Sequence, residues 1–158
     1  MFKVPVQGIE AYFDFDPSRT SDLRGVDEAI RQAVPSLQRW FVAGTAEGNP
    51  GMTMSMVGYG RFSYQTQRSK TPIDWPVVGL ALQKNHLSLY VSGKRGATPW
   101  TQRFANRFPT ASVSKTGAIR FRSVADLGGP GLTEMLQGLE AGLENGSIEL
   151  PWGGWRLR

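Results

Sequence analysis

The sequence contains no cysteine and only one histidine, His86. Without cysteine the chain has no disulfide, thiolate metal ligand or cysteine nucleophile, a composition typical of cytoplasmic proteins. One histidine without cysteine does not supply the usual ligand set of a zinc site. No run approaches the roughly 18 apolar residues of a membrane span, and the N-terminal stretch lacks the continuous apolar segment of a signal peptide. We therefore expect a cytoplasmic protein without a membrane-spanning segment.

Acidic residues are absent from residues 75–125, although this stretch carries eight basic residues and the whole chain has a formal net charge of +5. The eight are Lys84, Lys94, Arg95, Arg103, Arg107, Lys115, Arg120 and Arg122. Such a concentration of one charge favours an anionic partner. A solvated basic surface without a partner is the alternative interpretation.

The chain also lacks the short motifs of common catalytic sites: it has no G-x-S-x-G, no P-loop and no G-x-G-x-x-G. His86 has no carboxylate near it in the sequence to orient it as a general base. Met52, Met54 and Met56 alternate, which is compatible with ligation of a soft metal but is more typical of core packing. We expect a protein that is not an enzyme and has no cofactor.

The clearest structural pattern is a β-hairpin over residues 75–93. Six aliphatic residues alternate with others in two runs: Val78, Leu80, Leu82, Leu87, Leu89 and Val91. Period-two alternation predicts strands with one buried face. A two-residue turn at Lys84-Asn85 would pair Leu82 with Leu87 and place all six aliphatic side chains on that face. We expect Asn85 to adopt the positive φ of such a turn.

Helical periodicity predicts three helices around the predicted strands. The first covers residues 17–33, with Asp16 as its N-cap, and ends before Pro35. The second covers residues 99–108, with Thr98 as N-cap and Arg103 and Arg107 on one face. The third covers residues 132–143 and is closed by Asn145-Gly146.

The remaining segments give weaker patterns. Residues 113–122 predict a strand with Arg120 and Arg122 on its exposed side. Residues 1–15 suggest an edge strand or a packed arm, and 37–43 a short strand or a helical turn. Residues 44–51 read as a loop, and the tail 144–158 has no clear pattern. The order of elements predicts one α+β domain with helices packed on one face of an antiparallel sheet.

Several segments resemble one family. They are the first helix ending at Pro35, Gly51-Met52, the hairpin ending in LQKNHLSLY, and GAIRFR with the leucine-rich helix after it. Together they resemble the YdhG-like family of domains of unknown function, whose fold is similar to frataxin. The resemblance covers residues 17–143, leaving an N-terminal arm (1–16) and a C-terminal tail (144–158). It implies a small cytoplasmic bacterial domain with a curved antiparallel sheet.

The family resemblance also implies a possible role as an intracellular iron chaperone, proposed for some members by analogy with frataxin. Frataxin-type iron binding relies on a dense acidic ridge on the first helix and the edge strand after it. The first helix here carries four acidic residues, Asp16, Asp22, Asp27 and Glu28, but three arginines are interleaved with them: Arg19, Arg24 and Arg31. Because iron requires several converging ligands, we assign no metal-binding residue.

The basic residues of the middle of the chain are the stronger candidates for function. They are Lys94, Arg95, Arg103, Arg107, Lys115, Arg120 and Arg122. If they converge, they form a site for an anionic small ligand or an acidic protein partner. Frataxin-like iron binding and delivery is the first alternative, and nucleic-acid binding is a further one.

Overall fold

The computed structural model describes residues 3–49 and 51–156. Three α-helices, α1 to α3, and nine strands, β1 to β9, are formed. The helices are Ile9–Asp14, Thr20–Ala33 and Gly131–Asn145. The strands are Arg39–Val42, Met56–Tyr64, Ile73–Leu82, Leu87–Val91, Lys94–Arg95, Thr98–Pro99, Ser112–Val113, Ile119–Phe121 and Trp155–Arg156. Three 3-10 helices are Trp100–Arg107, Val124–Leu127 and Pro151–Gly153.

The strands form an antiparallel sheet in the order β1-β2-β3-β4-β8-β7, with β9 paired to β2 beside this path. Strands β5 and β6 form a separate two-stranded hairpin. Helix α2 packs on β3, and α3 packs on α2. The predicted α+β class with an antiparallel sheet is therefore confirmed. Residues 39–42 are strand rather than a helical turn, because they pair with β2 along their whole length.

The central hairpin has the predicted register. Leu82 pairs with Leu87, and the pairing continues outward through Leu80 and Leu89. All six aliphatic side chains are buried. Asn85, however, does not adopt the expected positive φ, because Trp152 is the only described non-glycine residue that does so. The hydrogen bond from Gln83 N–H to the His86 carbonyl closes the turn at 3.0 Å without it.

Two predictions at helix starts are wrong. Helix α2 begins at Thr20 instead of residue 17, since the Asp16 carboxylate closes a turn by accepting from Ser18 N–H and Arg19 Nε–H. Thr98 does not cap a helix but pairs with Arg95 in the small β5–β6 hairpin. The residues after it form a 3-10 helix, so the predicted helix exists with a different period.

Residues 9–14 form helix α1 and not an edge strand. The helix buries Tyr12 and Phe13 completely. The Tyr12 hydroxyl donates to the Ser55 carbonyl at 3.1 Å and accepts from Leu82 N–H at 2.7 Å. Tyr12 therefore ties the start of the chain to the end of β3.

Burial raises the pKa of the Tyr12 hydroxyl to about 12, from an ordinary value of 10.0. Because the folded pKa lies above the unfolded one, the stabilisation is complete below about pH 10 and is lost as the pH rises towards 12. We expect the wild-type protein to lose up to about 2–3 kcal/mol in this range through Tyr12. Urea unfolding at a series of pH values measures this loss. Tyr12→Phe should make this loss smaller without abolishing it, because burial also raises the pKa of Tyr59, and an unchanged slope would contradict the assignment.

The face of the sheet that points away from helix α2, here called the second face, is covered by side chains of the sheet itself. Gly58 lies beneath Trp40, and Gly79 lies beneath the Met56 side chain, so a Cβ at either glycine would collide with them. Met54 and Met56 are both buried. The Met54 sulfur accepts a hydrogen bond from Gln83 Nε2 at 3.0 Å. In the described residues, no helix is long and apolar enough to cross a membrane.

Candidate functional site

A groove of about 360 Å³ opens where the second face of the sheet meets the C-terminal segment. Its walls include three aromatic side chains, Trp75, Tyr90 and Trp152, together with Met52. Lys94 is the one charged residue among the described residues of its lining. A concave, largely apolar site with few polar groups is the usual form of a small-molecule site.

Trp152 stands out because its backbone is left-handed, with φ 58° and ψ 29°. This conformation strains a bulky side chain by an amount on the order of 1–3 kcal/mol. The indole ring lies 4.6 Å from the Tyr64 ring, between centroids, and yet 61% of the residue is exposed. The fold thus holds a large apolar ring at the mouth of the groove.

Backbone pairing fixes the C-terminal segment beside the groove. Lys94 and Glu149 exchange two backbone hydrogen bonds of 2.9 Å. After the 3-10 turn that contains Trp152, Trp155 pairs with Ser63 of β2. The tail that gave no clear pattern in the sequence is therefore anchored at both ends of the turn.

Tyr90, on β4, is one of the aromatic residues that line the groove. Its hydroxyl accepts a hydrogen bond of 3.1 Å from Gln83 Nε2. This contact fixes the ring orientation and leaves the hydroxyl proton available to a ligand acceptor. Ser92 and Thr116 add two further small polar side chains to the lining.

The predicted basic residues do not all converge. Arg95 and Arg103 both lie near the Trp100 ring, with guanidinium carbons 5.1 and 5.6 Å from its centroid. Arg107 instead forms an ion pair of 2.7 Å with Glu134 of α3. Arg103 and Arg107, which were predicted to share a helix face, thus have different partners, and in a 3-10 helix residues four apart are rotated by about 120° rather than the about 40° of an α-helix. Lys115 is exposed in the turn between β7 and β8.

Arg120 and Arg122 are exposed, as predicted, and lie near His86 at the tip of the central hairpin. Partial burial, followed by the charges of Arg120, Arg19 and Arg122, holds the pKa of His86 below its usual value. Arg19 is fixed at this tip because its guanidinium donates to the carbonyls of His86 at 3.1 Å and Lys84 at 3.3 Å. The tip is therefore a cluster of cations, which we call the tip cluster: Arg19, Lys84, Arg120 and Arg122.

Two carboxylates moderate the charge of the tip cluster. Asp16 pairs with Arg19 at 2.9 Å. Asp126 accepts hydrogen bonds from the backbone N–H groups of Arg122 at 2.8 Å and Ser123 at 3.1 Å. Within residues 3–49 and 51–156, neither Arg120 nor Arg122 forms a side-chain ion pair. Both guanidinium groups are thus available to an anion.

The acidic residues of the first predicted helix point to different partners. Asp22 accepts from Val124 N–H at 2.9 Å, and Glu28 accepts from Gln32 Nε2 at 3.2 Å. Asp27 is buried and bonds to Tyr59 and Arg39. Across the described part of the chain, no three His, Cys, Asp or Glu residues are grouped so that they could hold a metal ion.

A larger groove of about 820 Å³ lies along α2 and the start of β1. Its lining is mostly charged, but several of these residues already form ion pairs with each other. Arg24 pairs with Glu10 at 2.9 Å, and Arg39 pairs with Asp27 at 2.9 Å. A ligand there would have to break existing ion pairs. A ligand in the aromatic groove would not have to break ion pairs of this kind.

Sequence patterns identified Lys94 but missed the aromatic walls of the groove. Trp75 and Tyr90 belong to the predicted hairpin, but Trp152 comes from the distant C-terminal segment, and only the tertiary fold brings it to them. No family model, no curated protein and no solved structure matches this chain.

Proposed function

We propose that this protein is a non-catalytic binding domain for a small anionic ligand that has a flat apolar part. The observation that carries the proposal is the groove with Trp75, Tyr90 and Trp152 in its walls and Lys94 in its lining. Flat rings bind well to such walls, since aromatic side chains combine a large contact area with a preference for stacked or edge-on partners. The charge of Lys94 favours a negatively charged group on the ligand.

The volume and composition of the groove support a small ligand over a protein partner. Its volume of about 360 Å³ falls at the small end of the range of ligand pockets, roughly 300–1,000 Å³. Trp152 is presented at the mouth of the groove in a strained backbone conformation. Strain of this kind concentrates at ligand-binding positions, which supports a binding role for Trp152.

We further propose membership of the YdhG-like family, with a frataxin-like fold whose helices pack on one face of a curved sheet. Two features support this: α2 packs on β3, and α3 packs on α2 after an antiparallel meander. Iron binding receives less support than ligand binding, because Asp22, Asp27 and Glu28 are already engaged with separate partners. The proposed ligand site instead uses the family-like hairpin through Tyr90 and the tail through Trp152.

A pair of fluorescent probes tests the proposed function. Anilinonaphthalenesulfonate carries flat rings and one negative charge, and phenylnaphthylamine has the same rings without the charge. We expect Trp152→Gly to weaken both probes at least about fivefold, because ring contact is lost. Glycine is chosen because it adopts the left-handed backbone without strain. We expect Lys94→Glu to weaken the sulfonate about three- to tenfold and the neutral probe less than about twofold.

Matched variants elsewhere on the surface separate these effects from general ones. Trp155→Ala removes another exposed tryptophan that lies outside the groove lining. Lys70→Glu makes the same charge change at an exposed position away from the groove. Both should leave probe affinity within about twofold. Unchanged affinities in Trp152→Gly, with an unchanged circular dichroism melting curve, would show that the groove is not the binding site.

A further inference from the structure

The groove and Arg120 of the tip cluster lie on the same face of the paired strands β4 and β8. Ser88 of β4 pairs with Arg120 of β8, and Leu89 pairs with Ile119. In the same register, Tyr90 comes opposite Ala118, and both of these residues line the groove. Because side chains alternate along a strand, Arg120 projects on the same face as Ser88 and Tyr90, whereas Arg122 lies just past the end of β8. Arg120 therefore lies on the same face of the sheet as the groove, and Arg122 follows it beyond the end of β8.

The distances along this path are set by strand geometry. Successive residues of a strand are about 3.4 Å apart, so the Cα atom of Arg120 lies about 7 Å beyond that of Ala118, and Arg122 follows one residue after the end of β8. A ligand with its rings in the groove therefore needs an elongated anionic extension to contact these guanidinium groups. Guanidinium groups bind phosphate oxygens through paired, charge-assisted hydrogen bonds.

We propose that the ligand of the groove is a nucleoside phosphate, with its base against the aromatic walls and its phosphate chain along β8 towards Arg120 and Arg122. The inference rests on the proposed function, since it names the class of ligand that the groove binds. Both parts of such a ligand find a matching surface: rings for the flat base and unpaired guanidinium groups for the phosphates. The site uses arginine side chains in place of a glycine-rich phosphate loop.

The charges around the phosphate end favour an anion. Four cations of the tip cluster face two carboxylates, Asp16 and Asp126. Each carboxylate is held by its own hydrogen bonds, Asp16 by Ser18 and Arg19 and Asp126 by backbone N–H groups and Thr110. Because Asp126 sits beside Arg122, the charge of Arg120 is the less compensated of the two. We therefore expect Arg120 to contribute more than Arg122.

Titration calorimetry with four probes tests this inference on the full chain, at low ionic strength and with a chelator present. The probes are adenosine triphosphate, adenosine, inorganic tripolyphosphate and a hexathymidylate oligonucleotide. We expect adenosine triphosphate to bind more than about tenfold tighter than adenosine or tripolyphosphate, because it alone fills both parts. We expect the double variant Arg120→Glu with Arg122→Glu to lose most of the additional affinity that adenosine triphosphate has over adenosine. Arg68→Glu with Arg103→Glu makes the same charge change elsewhere and should preserve it to within about threefold.

Three results would overturn the inference. The first is equal affinity for adenosine triphosphate and adenosine. The second is an unchanged affinity for adenosine triphosphate in the Arg120/Arg122 double variant. The third is tighter binding of the oligonucleotide through the same residues, which would identify a nucleic-acid strand as the ligand. Anilinonaphthalenesulfonate binding distinguishes failure of this inference from failure of the proposed function, because it should persist within about threefold in the double variant.

Discussion

Asp27→Ala is expected to lower the free energy of unfolding by about 3–5 kcal/mol. Asp27 is only 5% exposed, and its carboxylate accepts hydrogen bonds from the Tyr59 hydroxyl at 2.5 Å and from Arg39 at 2.9 Å. Arg31 approaches the same carboxylate at 3.5 Å. Removing the carboxylate leaves a fully buried phenol and a half-buried guanidinium without this acceptor. The cost of the stranded polar groups dominates, since breaking one side of a buried network is more harmful than replacing all of it.

Glu28→Ala is the matched control, because it removes the same charge one position along α2. Glu28 is exposed and bonds only to Gln32 in the described part of the chain, so the expected loss is below about 0.5 kcal/mol. Denaturant unfolding at neutral pH measures both variants. A loss of less than about 1 kcal/mol for Asp27→Ala would show that the network is not a major source of stability.

A double-mutant cycle with Tyr59→Phe isolates the hydrogen bond itself. Burial and then the Asp27 carboxylate raise the pKa of the Tyr59 hydroxyl, so at neutral pH the phenol is protonated and donates. Tyr59→Phe should therefore be destabilising in the wild-type background and nearly neutral once Asp27 is alanine. The expected coupling is about 1–3 kcal/mol, and additive effects would contradict a direct interaction.

The hairpin and the last helix could be predicted from the sequence because their determinants are local. Alternation fixes the face of each strand, and a two-residue turn then fixes the register that pairs Leu82 with Leu87. Helix α3 ends where Gly146 adopts a left-handed conformation, as its Asn-Gly pattern predicted. In both cases the burial pattern lies within a few residues of the turn or helix-end residues, so local sequence is sufficient to place the element.

Non-local packing explains what the sequence did not reveal. Helix α1 has six residues, too few to establish a helical period, and it is held by Tyr12 reaching Ser55 and Leu82. The left-handed Trp152 has its ring against Tyr64, a residue nearly ninety positions earlier. The divergence of Arg103 and Arg107 follows from a change of helical period that side-chain spacing alone does not encode.

The same reasoning separates the two parts of the candidate site. Arg120 and Arg122 were predicted to be exposed because Ile119 and Phe121 alternate with them as apolar residues, and they are. Their proximity to the groove, however, arises from the pairing of β4 with β8, across more than 25 intervening residues. Charge alone suggested an anionic partner, whereas our proposal of a ligand with a flat part rests on the aromatic walls, which only the structure reveals.

Leu80→Ala is expected to have the other large effect, a loss of about 2–5 kcal/mol in the free energy of unfolding. Leu80 is completely buried near the end of β3 and is flanked by Val57 of β2 and Leu89 of β4. Truncation removes its buried apolar surface and leaves a cavity that two paired strands cannot easily close. The loss therefore includes a cavity contribution in addition to the transfer free energy of the missing carbons.

Leu143→Ala removes the same atoms from a half-buried position in α3, where alanine is an excellent helix former. We expect it to cost less than about 1.5 kcal/mol, and Leu80→Met, which nearly conserves volume, to fall in the same range. Denaturant titrations of the three variants test this order. If Leu80→Ala were no worse than Leu143→Ala, the buried face of the hairpin would not be the centre of the core.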